Sequence, residues 1–269
     1  MPPGRIPPVP AVLRLVQRTV LHRWRATDED LYREVAALAE AAPRREMLVA
    51  GCGEGETTEW LAARTGATVT GVDADAMRIA AAEARAARSG ARAVHYEQAA
   101  LDDLPHETGV FDAAVGDLSL SAAADPERAV AELARVVKPM GVVVLMQLTW
   151  TSEIASDARE QVVDRLGLRP HLIVEWKQMM RDAGLVDLQV QDWTDGVPGG
   201  RASAPGAEHP RLTLRQKAHI VGRAWRRWGW RAARGAVERE TSLIRELSRE
   251  RAFGFLLMKG VKWPHAKGA

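Results

Sequence analysis

Met47-Leu48-Val49-Ala50-Gly51-Cys52-Gly53-Glu54-Gly55, followed by Thr68-Val69-Thr70-Gly71-Val72-Asp73, decides the fold. The first four residues are a short apolar run, the pattern of a strand buried on both faces. Three glycines then alternate with other residues, and a helical pattern with Trp60, Leu61 and Ala62 follows. The second stretch is rich in β-branched residues and ends in an acid. Strand, glycine turn, helix and strand make a βαβ unit, whose two parallel strands are joined by a right-handed crossover.

Working outward, an Ala-rich helix is predicted over about 75–88, with further helices at about 126–137 and 172–183. Strand-like runs fall at 91–97, 110–116, 141–148, 185–191 and 253–259. Upstream, Thr27 followed by Asp28, Glu29 and Asp30 supplies a capping hydroxyl and an acidic first turn. That helix runs to about Ala42, where Pro43 stops it. Helices alternating with strands predict an α/β fold on a parallel sheet.

The chain has 269 residues, 46% hydrophobic and 27% charged, enough to bury a full core, which excludes disorder over most of its length. Lys and Arg total 37 against 35 Asp and Glu, so no general basic coat is present. The single cysteine, Cys52, excludes an intramolecular disulfide and a cysteine-cluster metal site and fits a reducing, cytoplasmic setting. No run of about 18 apolar residues occurs, so no membrane span is predicted. The seven histidines show no H-x-x-x-H pair, and no metal site is predicted.

A glycine turn at a helix N-terminus brings a ligand close to main-chain N–H groups and favours an anionic group there. Asp73, at the end of the second strand, is placed to accept both hydroxyls of a ribose. Glu56 stands where a pyrophosphate-binding loop has its third glycine. The loop therefore suits a ligand with one carboxylate and an ammonium group.

MLVAGCGEG, then TVTGVDAD, then FDAAVGDLSLSAAADPERAVAELARVVKPMGVVVLMQ, resembles the class I S-adenosylmethionine-dependent methyltransferases of the small-molecule type. The resemblance spans about residues 28–193 and returns at the strand 253–260. It implies a Rossmann-like, seven-stranded, mainly parallel sheet with an antiparallel last strand and helices on both faces. It also implies S-adenosyl-L-methionine as cofactor. Gly51, Cys52, Gly53 and Gly55 would cradle the methionyl part, Asp73 and Ala74 would meet the ribose side, and Ala100 and Leu101 would lie beside the adenine. Asp117 would sit near the methionyl amino group or the substrate entrance. The chain departs from the family pattern at Val49 and Ala100, where an acid is common, and at Met140, where a glycine usually follows Lys-Pro.

Methyl transfer needs alignment and exclusion of water more than a dedicated motif, and a base only where the acceptor starts protonated. Asp117, Tyr32 and His171 are the candidate acid–base residues; Ser119, Ser121, Thr149 and Trp150 follow strand ends on the ligand edge, and His22 lies on a segment that could cover it.

Four regions follow: residues 1–26, a Pro-rich tail and basic amphipathic helix; 27–193, the cofactor-binding core; 194–251, a Gly/Pro-rich loop and helical cap; and 252–269, the last strand and tail. Within the cap, helices are predicted at about 212–233 and 236–250. In the first, Leu214, Ala218, Val221, Trp225, Trp228 and Ala232 form one apolar stripe, and no Asp or Glu occurs between Glu208 and Glu238. Residues 211–235 are thus a cap over the site or a contact to a membrane surface, and they suit a lipophilic or anionic small substrate. Two alternatives stand beside this: a nucleic-acid-modifying methyltransferase using the cationic helix, and a non-catalytic binding protein with a degenerate cofactor site. Gly116-Asp117-Leu118-Ser119 lacks an Asn/Asp-Pro-Pro-aromatic tetrad, which argues against the first.

Overall fold

The computed structural model describes residues 28–151, 160, 163, 169–193 and 253–264. The expected N-terminal tail and basic helix, His22, the loop and helical cap of 194–251, and Thr27 lie outside the described residues.

The strands are β1 (Glu46–Ala50), β2 (Thr68–Asp73), β3 (Val94–Gln98), β4 (Phe111–Gly116), β5 (Val137–Trp150), β6 (His171–Leu172), β7 (Leu185–Asp192) and β8 (Phe253–Lys262). The helices are α1 (Asp28–Leu38), α2 (Glu56–Thr65), α3 (Ala76–Ser89), α4 (Pro126–Val136) and α5 (Ile173–Asp182). In space the strands run β3-β2-β1-β4-β5-β8-β7, and the two-residue β6 pairs with β5. β1, β2, β3, β4 and β5 pair in parallel, whereas β8 is antiparallel to both β5 and β7. The seven-stranded sheet with one antiparallel strand is the expected one.

Alternation along the strands divides two cores. Met47 and Val49 of β1 point into one with Leu31 and Val35 of α1, Leu61 of α2 and Ile79 of α3. Leu48 and Ala50 point into the other with Val130 and Leu133 of α4 and Trp176 and Met180 of α5. Val142 to Trp150 of β5 are buried without interruption, as a strand covered on both faces requires.

Three boundaries differ from the sequence reading. α1 ends at Leu38, before Pro43 can act. Glu40 adopts φ 54°, the Ala41 N–H donates to the Ala36 carbonyl (2.9 Å), and the Glu40 N–H donates to the Ala37 carbonyl (3.1 Å). This is a Schellman ending with a glutamate in the position glycine usually fills. β5 starts at Val137 rather than 141, because Val137 pairs with Phe111 before Lys138–Gly141 bulge out and pairing resumes at Ala113 and Val142. β3 starts later, at Val94.

Candidate active site

Strand order reverses at β1. The chain leaves it toward β2 and β3 on one side and returns to β4 and β5 on the other. Loops after β1 and β4 therefore diverge, opening a crevice at the strands' carboxyl ends where open α/β sheets bind ligands. The glycine loop, Asp73 and Asp117 all stand at that edge.

The loop is held from below. The Gly51 and Cys52 N–H groups both donate to the Val72 carbonyl, at 2.7 and 3.0 Å. Gly51, Gly53 and Gly55 have φ of 76°, 58° and 83°, the left-handed region that disfavours a Cβ. A Cβ on Gly53 would meet no heavy atom within 4 Å, so this glycine faces open space. Gly55 differs. Its N–H donates to the Cys52 carbonyl (3.0 Å), and a Cβ there would collide with the Tyr96 hydroxyl and lie 2.8 Å from its Cζ. Its missing side chain makes room for Tyr96, whose hydroxyl donates to the Gly55 carbonyl (3.3 Å).

Asp73 is 3% exposed. Its Oδ2 accepts from the Gly53 N–H (3.0 Å) and its Oδ1 from the Asp75 N–H (3.0 Å). The carboxylate thus turns toward the glycine loop. Ala74 is exposed beside it. Arg78 reaches to 3.6 Å from Asp73 Oδ2 and 3.8 Å from Asp75 Oδ2. The sequence reading missed Arg78, although its spacing of three from the α3 cap Asp75 was a usable signal.

Asp117 is also 3% exposed. Its N–H donates to the Ala50 carbonyl (2.9 Å), its Oδ1 accepts from the Leu118 N–H (2.7 Å), and its Oδ2 accepts from the Thr57 hydroxyl (2.9 Å). It therefore ties the end of β4 to the first turn of α2. Cys52 lies between the two acids: burial pushes its thiol well above the ordinary range, and Asp73 and Asp117 push it further, so it stays protonated and unreactive.

After β3, Ala100 is exposed, whereas Leu101 is buried in the α4-side core. The loop that follows is latched to α4. Glu132 accepts from the Leu104 N–H (2.9 Å), and Arg135 donates to the Leu104 and His106 carbonyls (3.0 and 2.7 Å) while pairing with Glu132. The Arg135 hydrogen bonds, against some burial, hold Glu132 below the usual carboxylate range.

The remaining candidates separate. Tyr32 is buried in the α1 face, its ring 5.5 Å from that of Trp60. Ser119 falls in the turn Leu118–Ala122. Ser121 donates to Gln147 (3.0 Å), Thr149 donates to the His171 carbonyl (2.8 Å), and Trp150 is buried. His171 pairs beside the end of β5, its ring 5.1 Å from Trp176 and its Nδ1 3.5 Å from Glu175 Oε2. Its Nε2 is buried with no hydrogen-bond partner among the described residues. Burial lowers its pKa; Arg169 works in the same direction, and Glu175 and Glu127 oppose both. Among the described residues no group of three His, Cys, Asp or Glu is placed to hold a metal, and no helix is long and apolar enough to cross a membrane.

Comparison with known proteins agrees with this fold. Residues 48–145 match the sequence family described as "Methyltransferase domain". The chain is 36% identical over 102 residues to the malonyl-(acyl-carrier protein) O-methyltransferase of Salmonella typhimurium, covering 38% of each. It is 25% identical over 207 residues to methyltransferase GfsG of Streptomyces halstedii, covering 75% of this chain and 72% of that protein. The chain spans only 30%, 43% and 38% of the length of three curated relatives that it matches over shorter stretches. Among solved structures, geranyl diphosphate C-methyltransferase from Streptomyces coelicolor A3(2) superposes with a TM-score of 0.66 at 19% identity, over 87% of this chain and 76% of that one. At that identity the likeness is one of fold.

Proposed function

We propose that this chain is a class I S-adenosylmethionine-dependent methyltransferase that methylates a small molecule, with S-adenosyl-L-methionine as cofactor. One observation carries the reading. A buried carboxylate, Asp73, turns into a glycine loop whose Gly53 faces open space, at the switch point of a parallel sheet. That is a fit for a ribose beside an amino-acid tail.

When bound, the cofactor supplies an activated methyl group on a sulfonium. The protein's part is to bind and orient. Gly51 and Gly53 give the tail access to main chain, Asp73 accepts the ribose hydroxyls with Ala74 beside it, and Ala100 flanks the adenine side. Asp117 faces the ammonium group, and Val49, buried in the core, leaves that charge to it. Leu101 contributes through its main chain.

Of the acid–base candidates, His171 suits an acceptor that must lose a proton. Its Nε2 has no hydrogen-bond partner among the described residues, Glu175 lies against the other nitrogen, and burial favours the neutral ring. Asp117 and Tyr32 support binding and packing instead.

The sequence of 211–235 suits a lipophilic or anionic acceptor, as a cap over the site or as a contact with a membrane surface, and the single cysteine favours a cytoplasmic setting. Calorimetric titration with S-adenosylhomocysteine tests the cofactor: an absence of binding refutes methyl transfer and leaves the non-catalytic reading. Mass spectrometry of small molecules retained by the purified protein tests the acceptor class. Co-sedimentation with anionic vesicles tests the membrane contact, and no binding by the full chain ends it.

A further inference from the structure

β4 leaves the sheet after Gly116, and its next carbonyls need donors in a place water does not reach. The donors come from a side chain. Gln147 of β5 is 0% exposed, and its Nε2 donates to the Gly116 carbonyl (3.1 Å) and the Asp117 carbonyl (3.0 Å). Its Oε1 accepts from the Ser121 hydroxyl (3.0 Å) at the far end of the same turn. Val143 and Leu145, which precede it on the same face of β5, are apolar and fully buried. A primary amide in that row is costly unless its hydrogen bonds are met, and here they are.

The amide prolongs the β4–β5 ladder beyond its main-chain end. It grips the two carbonyls that bracket the Asp117 backbone, while Ala50 holds the Asp117 N–H and Thr57 holds its carboxylate. We propose that Gln147 is a positioning residue for the amino-acid end of the cofactor, fixing Asp117 against the glycine loop through the Gly116 and Asp117 carbonyls. This rests on the cofactor reading above.

The probes are S-adenosylhomocysteine and 5′-methylthioadenosine, which share adenosine but differ in the amino-acid tail. Gln147→Met keeps length and loses all three hydrogen bonds. It should weaken S-adenosylhomocysteine about tenfold or more. Binding of 5′-methylthioadenosine should stay within about twofold, since Asp73 is untouched. Ser121→Ala removes one bond and should weaken S-adenosylhomocysteine about two- to fivefold, again sparing 5′-methylthioadenosine. Equal losses for both ligands would mark a merely structural residue and overturn the proposal, as would no loss for either. If Gln147→Met does not fold, the ligand split in Ser121→Ala decides alone. Failure of the unaltered protein to bind either ligand would instead refute the cofactor reading.

Discussion

Gly53 and Gly55 belong to one motif and share the left-handed conformation, yet they face different surroundings, and alanine at each should fail differently. A non-glycine residue in that region costs about 1–2 kcal/mol. Restricting the unfolded chain returns about 0.5–1 kcal/mol of this. For Gly53→Ala nothing else is added, because no heavy atom lies within 4 Å of the new Cβ. The net loss is about 0.5–1 kcal/mol, or about 1–4 °C in melting temperature. The methyl group, however, fills the space that the ligand's tail needs, so S-adenosylhomocysteine should bind about tenfold or more weakly. Gly55→Ala carries the same backbone cost and also drives its Cβ into the Tyr96 ring, with Cζ at 2.8 Å and Cε1 at 3.1 Å. Overpacking adds about 1–3 kcal/mol and the strained Tyr96 hydrogen bond about 1 more. A loss of about 3 kcal/mol, or about 6–12 °C, follows. Calorimetric melts and titrations at 15 °C, where both variants remain folded, measure the two effects separately. Gly53→Ala binding as tightly as the unaltered protein, or Gly55→Ala melting alongside Gly53→Ala, would refute this division of the loop.

Met140 holds φ 64° with its side chain 59% exposed, so Met140→Gly should stabilise by about 0.5–1 kcal/mol. The adjacent Gly141→Ala should destabilise, since its Cβ meets the Val137 side chain and the Asp112 carbonyl oxygen (2.7 Å); melting shifts of the same sign in both would contradict this. Asp112 is pushed up by burial but held below the usual carboxylate range by its Lys138 hydrogen bond (2.9 Å), the Glu46 N–H (2.9 Å) and Arg45. A carboxylate lowered in the folded state contributes stability above its unfolded pKa and loses it as pH falls through the folded one. In urea unfolding, the stability gap to Asp112→Asn should therefore be widest near neutrality and close in acid; a gap unchanged at pH 3 would argue against it. His171 should titrate below an ordinary imidazole, and Glu175→Gln should lower it further by removing a charge that opposes burial. NMR of labelled histidine measures both, and an upward shift in Glu175→Gln rules the account out.

How much of this was readable depends on whether a residue's partner is local. The β1 run, the glycine turn and the acid ending β2 lie within one βαβ unit, so their spacing carried the fold and placed Asp73 beside the glycine loop. Asp125 at the N-cap of α4 and Pro126 after it were equally local and opened the helix where expected. That Gly55 also makes room for Tyr96 was not legible, because Tyr96 comes from a strand forty-one positions away. Gln147 was missed for the same reason: a polar residue in an apolar strand gives no hint that its partners are carbonyls thirty positions upstream. Glu40 escaped because a left-handed helix ending is normally signalled by glycine.

The sequence offers a patterned set of candidates for a cofactor and no such set for an acceptor, and the chemistry explains why. A sulfonium methyl donor brings its own electrophile, so recognition of that donor must be specific: a diol-binding acid, a bare loop and a counter-charge for an ammonium group. Those demands leave particular residue types at particular spacings. The acceptor needs only to be held in line and kept dry, which any suitably shaped apolar or charged wall can do. His171 illustrates the consequence. Neither its identity nor its spacing separates it from the other candidates; that comes only when β6 pairs it beside Thr149, Trp176 packs edge-on against its ring and Nε2 is left without a hydrogen-bond partner among the described residues. On the proposed reading, the search for an acceptor starts beside His171, and the search for the donor at Asp73 and Gly53.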